Sequence, residues 1–468
     1  MTTERTIGTD ELRIFGTDGI RGRAGEGWLS LDRVSALGRA AGLVLGGAPP
    51  AKGRGRRAVL LGHDGRRSGP EIVDALARGF ASRGFDHVST GLITTPGLAL
   101  LTRMGDWSLG AMVSASHNPA EDNGIKLFSS DGEKLSDESE LEIERELRAH
   151  SGDVGGEPVR SRVDHELEMV YLRHLLETGG GSLQLDGMNV VLDCANGGAS
   201  RIAPRVLGRL GARVTAIHAE PDGSNINQGC GSTHPAALHE AVRATGADIG
   251  IALDGDGDRC ILVDERAELI HGDGILTMVA RWAAAHGEYT DPRIVATVMS
   301  NRGLHRALRE VGLGIVEVGV GDRRVVEALR DQGLKLGGEQ SGHIIFGGDN
   351  HFIGDGIYTA LRVLRILRES GKPLSELVAP YQPLPQVLLN IQVPHKPALE
   401  GLPGFSEACT RLADRLGEDG RVLVRYSGTE DLARVMVEGP DGEHIRRGAQ
   451  ELAELLSDEI GRIPGSPG

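Results

Sequence analysis

One hydroxyl and three carboxylates carry the chemistry that can be read from this chain. Ser116 stands in the stretch ASHNP (115–119), where Asn118-Pro119 turns the backbone away from helix. Asp254, Asp256 and Asp258 crowd into five residues, with glycines between them. Three like charges that close repel unless a cation neutralises them, and an all-oxygen ligand set selects a hard ion such as Mg²⁺. A serine that carries phosphate and a carboxylate loop that holds a metal against it would together make a phosphoryl-transfer centre.

Other readings of these residues are weaker. Glu265 falls at the twelfth position of a calcium-loop frame begun at Asp254, but the sixth position, which needs glycine, is Arg259. The flanks at 249–253 and 260–263 also read as strands, where that frame needs helices. Ser116 with His117 as its base would make a hydrolase pair, yet adjacent side chains rarely point at each other and no GxSxG turn surrounds the serine. The only Gly-Lys pair, Gly371-Lys372, is followed by Pro373 where a P-loop needs Ser or Thr.

Three more loops carry polar groups among glycines. In 337–343 (GGEQSGH) the side chains of Glu339, Ser341 and His343 suit sugar hydroxyls. In 425–430 (RYSGTE) a strand ends with Arg425, the hydroxyls of Ser427 and Thr429, and open backbone amides around Gly428, a small anion nest. Arg434 on the next strand adds a second guanidinium. The loop 16–22 (GTDGIRG) carries Arg21.

Such loops need rigid supports, and the chain supplies them as repeated strand, glycine loop and helix. Residues 57–61 read as a strand, and Ser68 as the cap of a helix whose Ile72, Leu76 and Phe80 recur at helical spacing before Gly84 ends it. A buried strand at 109–113 leads into the Ser116 loop, 123–128 returns from it, and 137–148 is a charged helix. Strands at 188–192, 212–217 and 248–253 follow, with a helix at 199–210. The last of these strands delivers the carboxylates at its C-terminal end, where open α/β sheets place ligands. Strands at 294–298 and 314–318 mark a third unit. Strands at 387–393 and 422–426 and a helix at 443–456 mark an α+β fourth. The expected domains are 1–155, 156–263, 264–382 and 383–468, with a first boundary in the glycine-rich stretch 151–156 and a disordered tail at 464–468. No fixed period is visible in the letters, although three successive α/β units are free to share a fold.

Composition narrows the class. A chain of 468 residues is too long for one ordinary core, and 39% hydrophobic with 25% charged residues is usual for a globular protein. No apolar run approaches the about 18 residues of a membrane span, and residues 1–10 lack an apolar signal core, so a cytoplasmic location and no membrane partner are expected. Cys194, Cys230, Cys260 and Cys409 form no CxxC pair and read as free thiols. A net charge of −15 argues against nucleic acid but leaves anionic small molecules open, since a few arginines reverse the field inside a cleft.

The loops GTDGIRG, ASHNP, DGDGDR (254–259), GEQSGH (338–343) and RYSGTE, in that order, resemble the α-D-phosphohexomutase superfamily over about residues 15–439. The resemblance implies an α/β fold of three similar α/β domains followed by a smaller α+β domain around a central cleft. It is strongest to the bacterial branch acting on hexosamine phosphates, on the stretches NINQGCGST (225–233), MSN (299–301), Gln340 and VGDR (320–323). The branch acting on mannose and glucose phosphates is the alternative, and a metal-dependent sugar phosphatase or a non-catalytic sugar-phosphate-binding protein are rivals of other kinds. By resemblance, Ser116 is the phosphorylated serine and holds Mg²⁺ together with Asp254, Asp256 and Asp258. Glu339, Ser341 and His343 would contact the sugar, and Arg425, Ser427, Gly428, Thr429 and Arg434 the non-reacting phosphate. Arg21, His117, Lys126, Arg259 and His343 match positions near the reacting groups. The implied partner is a small hexosamine phosphate, with glucosamine 1,6-bisphosphate or glucose 1,6-bisphosphate as activator and room for a homodimer. Three departures stand out: Asp431 where proline is usual, Ala433 where a larger aliphatic is common, and Arg324 where tyrosine is typical.

Overall fold

Short apolar runs become buried strands here, and the loops that follow them converge. The computed structural model describes residues 13–16, 18–46, 57–150, 159–348, 352–426 and 431–462. The expected boundary at 151–156, the tail 464–468 and the loop residues Ser427, Gly428 and Thr429 lie outside these residues.

The first sheet holds β1 (Ile20–Arg23), β2 (Ala58–His63), β3 (Asp86–Leu92), β4 (Leu109–Val113) and β5 (Asp122–Ser129), in the order β1-β5-β4-β2-β3. The second holds β6 (Asn189–Asp193), β7 (Arg213–Ile217), β8 (Ile249–Leu253), β9 (Cys260–Val263) and β10 (Leu269–Ile270), in the order β10-β9-β8-β6-β7. The third holds β11 (Arg293–Thr297), β12 (Gly314–Val318), β13 (Leu336–Gly338) and β14 (Ile344–Phe346), in the order β12-β11-β13-β14.

These three sheets share one plan. A central strand pairs in parallel with a strand on each side, and one of those neighbours turns back as an antiparallel hairpin. The hairpins are β4–β5, β8–β9 and β13–β14, and their turns carry Ser116, the three aspartates, and Glu339 with His343. The repeat is therefore one of topology, invisible in the letters. A fourth sheet, antiparallel β15 (Gln386–Gln392), β16 (Arg421–Tyr426) and β17 (Leu432–Glu438) in the order β15-β17-β16, sits against the helix Gly442–Arg462.

Packing separates the fourth unit from the rest. One apolar core runs continuously from Leu60 of the first unit through Leu192 of the second to Leu336 and Leu374 of the third. Val393, Phe405, Val435 and Leu456 belong to a core of their own. The joint between the two bodies is polar. Asn301 Nδ2 donates to Leu384 O at 3.1 Å and its Oδ1 accepts from Leu384 N at 2.8 Å. The fully buried Glu438 accepts from Arg302 N and from Arg421 Nη2, each at 2.7 Å.

One local expectation fails. Ser68 does not cap the helix Gly69–Ala81, because its backbone is already helical (φ −75°, ψ −11°) whereas a capping residue is extended. Its Oγ instead accepts from Asn123 Nδ2 at 2.8 Å, joining this helix to β5.

Candidate active site

Ser116 sits in the turn after β4, 1% exposed, with φ at +52°. A non-glycine residue held there costs on the order of 1–3 kcal/mol and persists only where its surroundings over-determine it. Those surroundings are explicit. Ser116 N donates to Ser114 Oγ at 2.9 Å, and Ser116 O accepts from Arg66 Nη2 at 3.0 Å and Asn227 Nδ2 at 2.9 Å. Arg66, fully buried, also donates to the carbonyls of Asn118 at 2.8 Å, Asp122 at 2.9 Å and Pro119. Asp64 anchors this clamp, accepting from Arg66 Nε at 3.0 Å and Ser114 Oγ at 2.6 Å.

In this conformation Ser116 Oγ donates to Asp254 Oδ2 at 2.8 Å and lies 3.3 Å from His117 Nδ1. The expectation that neighbours in sequence would not face each other is corrected here, because it assumed ordinary backbone at the serine. Burial, then the charges of Arg259 and Arg21, push His117 down to about 4, so its ring is neutral near pH 7.

The aspartates occupy the turn between β8 and β9. Gly255 permits the approach to the serine loop, since a Cβ there would lie 2.7 Å from Ser116 O. Asp254 and Asp256 are fully buried and Asp258 nearly so, and one carboxylate oxygen of each lies within 4.8 Å of the other two. Asp256 Oδ2 accepts from Thr95 Oγ1 at 2.5 Å and Lys126 Nζ at 2.9 Å. Asp256 Oδ1 and Asp258 Oδ1 are buried without a hydrogen-bond partner. Burial, Asp258 and Asp256 together push the Asp254 carboxyl well above its usual range. Orphaned oxygens, mutual repulsion and an oxygen-only donor set fit a hard divalent cation.

The surrounding cations are themselves paired. Lys126 Nζ also meets Asp18 Oδ2 at 2.8 Å and Asp258 Oδ2 at 3.7 Å; burial opposes its charge, but these carboxylates raise its pKa well above the ordinary value. Lys126 therefore stays protonated and neutralises Asp256. Lys134 bridges Asp18 and Asp322, the latter at 2.5 Å. His343 lies 3.7 Å from Asp258 and 3.8 Å from Asp322; burial opposes its charge, but Asp258 and then Asp322 raise it to about 9. Two imidazoles in one site thus hold opposite protonation states at neutral pH, an arrangement suited to paired acid and base roles.

A cavity of about 710 Å³ opens over this cluster, lined by Arg21, Ser116, Asp258, Arg259, Glu339 and His343 among others. Ser341 lines an adjoining space of about 450 Å³ with Arg259, Glu339 and Gln340. Ser341 Oγ and Arg259 Nε are buried with no hydrogen-bond partner, which leaves both for a ligand.

The structure thus brings together Arg21, Ser116, His117, Lys126, the three aspartates, Arg259, Glu339, Ser341 and His343. Arg425 and Arg434 line neither space. They are direct cross-strand partners on β16 and β17, and like charges directly opposite destabilise a sheet, a penalty that a bound anion removes. Asp18, Asp64, Arg66, Lys134, Asn227 and Asp322 were missed as site residues. Asp18, Asn227 and Asp322 fall inside stretches singled out for resemblance but given no role. Nothing in the letters distinguishes Arg66, whose part depends on its burial.

Four phosphoglucomutase/phosphomannomutase signatures match the chain in order: alpha/beta/alpha domain I at 12–152, domain II at 169–268, domain III at 271–384, and the C-terminal domain at 388–455. Phosphoglucosamine mutase from Symbiobacterium thermophilum is 47% identical over 452 residues, spanning 96% of this chain and 99% of the relative. The chain belongs to the α-D-phosphohexomutase superfamily. Another phosphoglucosamine mutase, from Gluconacetobacter diazotrophicus, is 46% identical to this phosphohexomutase, over 95% of the chain and 97% of the relative. A solved phosphoglucomutase/phosphomannomutase family protein from Burkholderia thailandensis superposes with a TM-score of 0.78 at 25% identity, over 97% of this chain and 98% of that one. In fold, the chain is also similar to Aspergillus fumigatus N-acetylphosphoglucosamine mutase, solved with GlcNAc-6P and magnesium, at a TM-score of 0.62 and 19% identity over 86% and 83% of the two chains. Among the described residues no helix is long and apolar enough to cross a membrane.

Proposed function

We propose that this phosphohexomutase is an isomerase that interconverts glucosamine 6-phosphate and glucosamine 1-phosphate by relaying phosphate through Ser116. The observation that carries the reading is the 2.8 Å contact of Ser116 Oγ with Asp254, at the edge of a cavity that also reaches Glu339. Asp254, Asp256, Asp258 and a phosphoserine oxygen would hold Mg²⁺, which when bound neutralises charge on the transferring phosphoryl group.

The protein's own groups supply the rest. In the forward step the bond from phosphorus to Ser116 Oγ breaks, a bond to the free hydroxyl of the sugar monophosphate forms, and the proton that hydroxyl loses ends on the released Ser116 Oγ. Arg259 and Arg21 face the cavity and offset the negative charge of the phosphates. Protonated His343 gives its proton to the sugar oxygen that leaves when the second phosphate returns to Ser116. Neutral His117 accepts the Ser116 Oγ proton when the second phosphate returns from the 1,6-bisphosphate intermediate. Glu339 and Ser341 read sugar hydroxyls, while Arg425, Ser427, Gly428, Thr429 and Arg434 hold the distal phosphate in both orientations of the intermediate. A bisphosphate of glucosamine or glucose would prime an unphosphorylated chain. The product would feed cell-wall precursor synthesis in the cytoplasm.

A coupled assay with glucosamine, glucose and mannose phosphates tests the reading. Preference for glucosamine phosphate is expected, with side activity on glucose phosphate, because a single polar group read near solvent discriminates by only about 10- to 200-fold. Equal or higher kcat/KM on mannose phosphate would overturn the substrate assignment. Turnover that survives a chelator would overturn the role of the aspartates.

A further inference from the structure

Apart from the three aspartates, one group of side chains among the described residues is arranged as metal ligands. Asp193 ends β6, His218 follows β7, and Cys230 lies in the stretch 225–233; one ligand atom of each lies within 4.8 Å of the other two. Asp193 and Cys230 are fully buried, while the His218 side chain is 30% exposed, so an ion has a way in.

Three observations indicate that these groups face a missing partner. His218 Nδ1 lies 3.1 Å from Asp193 Oδ2, yet the pair is not aligned as a hydrogen bond and the buried nitrogen has no hydrogen-bond partner. Two ligands of a tetrahedral zinc, each about 2.0 Å from the ion, are themselves separated by roughly 3.3 Å. The carboxylate is oriented from behind, with Oδ1 accepting from Ala195 N and Oδ2 from Gly231 N, both at 2.9 Å, as outer-shell bonds orient a metal ligand. Left-handed backbone clusters here as well, at Ala195 (φ 53°), Asn196 (φ 49°) and His218 (φ 46°), and such clustering accompanies functional sites.

We propose that Asp193, His218 Nδ1 and Cys230 Sγ form a second cation site, for a thiophilic divalent ion of the zinc type with water completing the tetrahedron. Sulfur and imidazole ligands separate it in preference from the all-oxygen site of the aspartates. A reactive or redox-sensing thiol is the poorer explanation, because burial and then Asp193 push Cys230 up to about 12, far from thiolate, until a metal displaces the proton. The site has a mechanical consequence. Asn227, three residues before Cys230, takes Ala195 O through its amide at 2.9 Å and holds the Ser116 and Asn118 carbonyls through its side chain. An ion at Cys230 would fasten the loop that braces the Ser116 turn to the ends of β6 and β7.

Cobalt separates the two sites, since only a thiolate ligand gives a sulfur-to-cobalt charge-transfer band. Full-length protein, stripped by chelator and resupplied with Mg²⁺, is titrated with Co²⁺ and then Zn²⁺. One equivalent of Co²⁺ should raise the band, one equivalent of Zn²⁺ should remove it, and Zn²⁺ should increase Tm. Cys230→Ser should abolish the band, and His218→Ala should weaken Co²⁺ binding by at least about tenfold. No band in the wild-type protein, or a band that survives Cys230→Ser, overturns the proposal. Should Cys230→Ser not fold, the partly exposed His218→Ala decides, and unchanged Co²⁺ affinity in that variant overturns it.

Discussion

Ser116 is 1% exposed and its turn is gripped by Arg66, Asn227 and Ser114, whereas Arg425 and Arg434 oppose each other on a three-stranded sheet whose core is separate from the rest. The first region is assembled before any substrate arrives, on units that share one packed interior. The second meets the rest across a polar joint at Asn301, Arg421 and Glu438, flanked by the 2.7 Å pair of Arg309 with Asp419. Polar joints of this kind favour relative motion of domains. Under the proposed function the difference is a division of labour, with chemistry fixed in the first three units and capture of the distal phosphate assigned to a separately packed body.

If so, damage to the two regions should differ in kind. The largest effect belongs to Ser116→Ala, which should remove several orders of magnitude from kcat with little change in Tm. Intact mass of active wild-type protein should show one added phosphate that the variant lacks. Next is Arg66→Met, which strands the buried Asp64 carboxylate and releases the serine turn. Chemical denaturation should show a loss of about 3–5 kcal/mol, and activity should fall together with stability.

Arg425→Ala should behave otherwise. KM for the sugar phosphate should rise by about 10- to 100-fold, as expected for one charged hydrogen bond, with kcat nearly kept. Tm should hold or rise slightly, because the cross-strand repulsion is gone. A fall in kcat equal to the rise in KM would erase the proposed division.

The smallest effect probes the joint. Burial raises Asp273 to about 6, against the 2.8 Å hydrogen bond from Asn301 N that favours its charge. Its native pKa lies above the unfolded value of 3.8, so the folded state loses stability as pH climbs from about 4 to about 6. Asp273→Asn removes that loss. Its Tm should exceed wild type at pH 8 and match it near pH 4, measured by thermal melts at each pH.

Much of this was legible in the letters. The apolar run at 109–113 is the observed strand residue for residue, since a fully buried strand needs little beyond apolar character. The serine and the aspartates were legible because glycine and proline punctuate them. Arg66 and Asp64 were not, for an arginine three residues past a strand looks the same whether solvated or fully enclosed. The stretch at 299–301 shows the same limit. It helped place the chain in a branch, yet its work, joining the last domain through Asn301, exists only once residues 301 and 384 meet.

The left-handed backbone at Ser116 bears on how such a chain could change over generations. Glycine would rest there without strain and asparagine with less of it, so the residue the chemistry requires is one that local stability disfavours. A population screened for heat resistance alone would drift toward those replacements and lose catalysis, while one screened for growth would keep the serine and recover stability elsewhere. Position 116 would then record which of the two demands had governed a lineage.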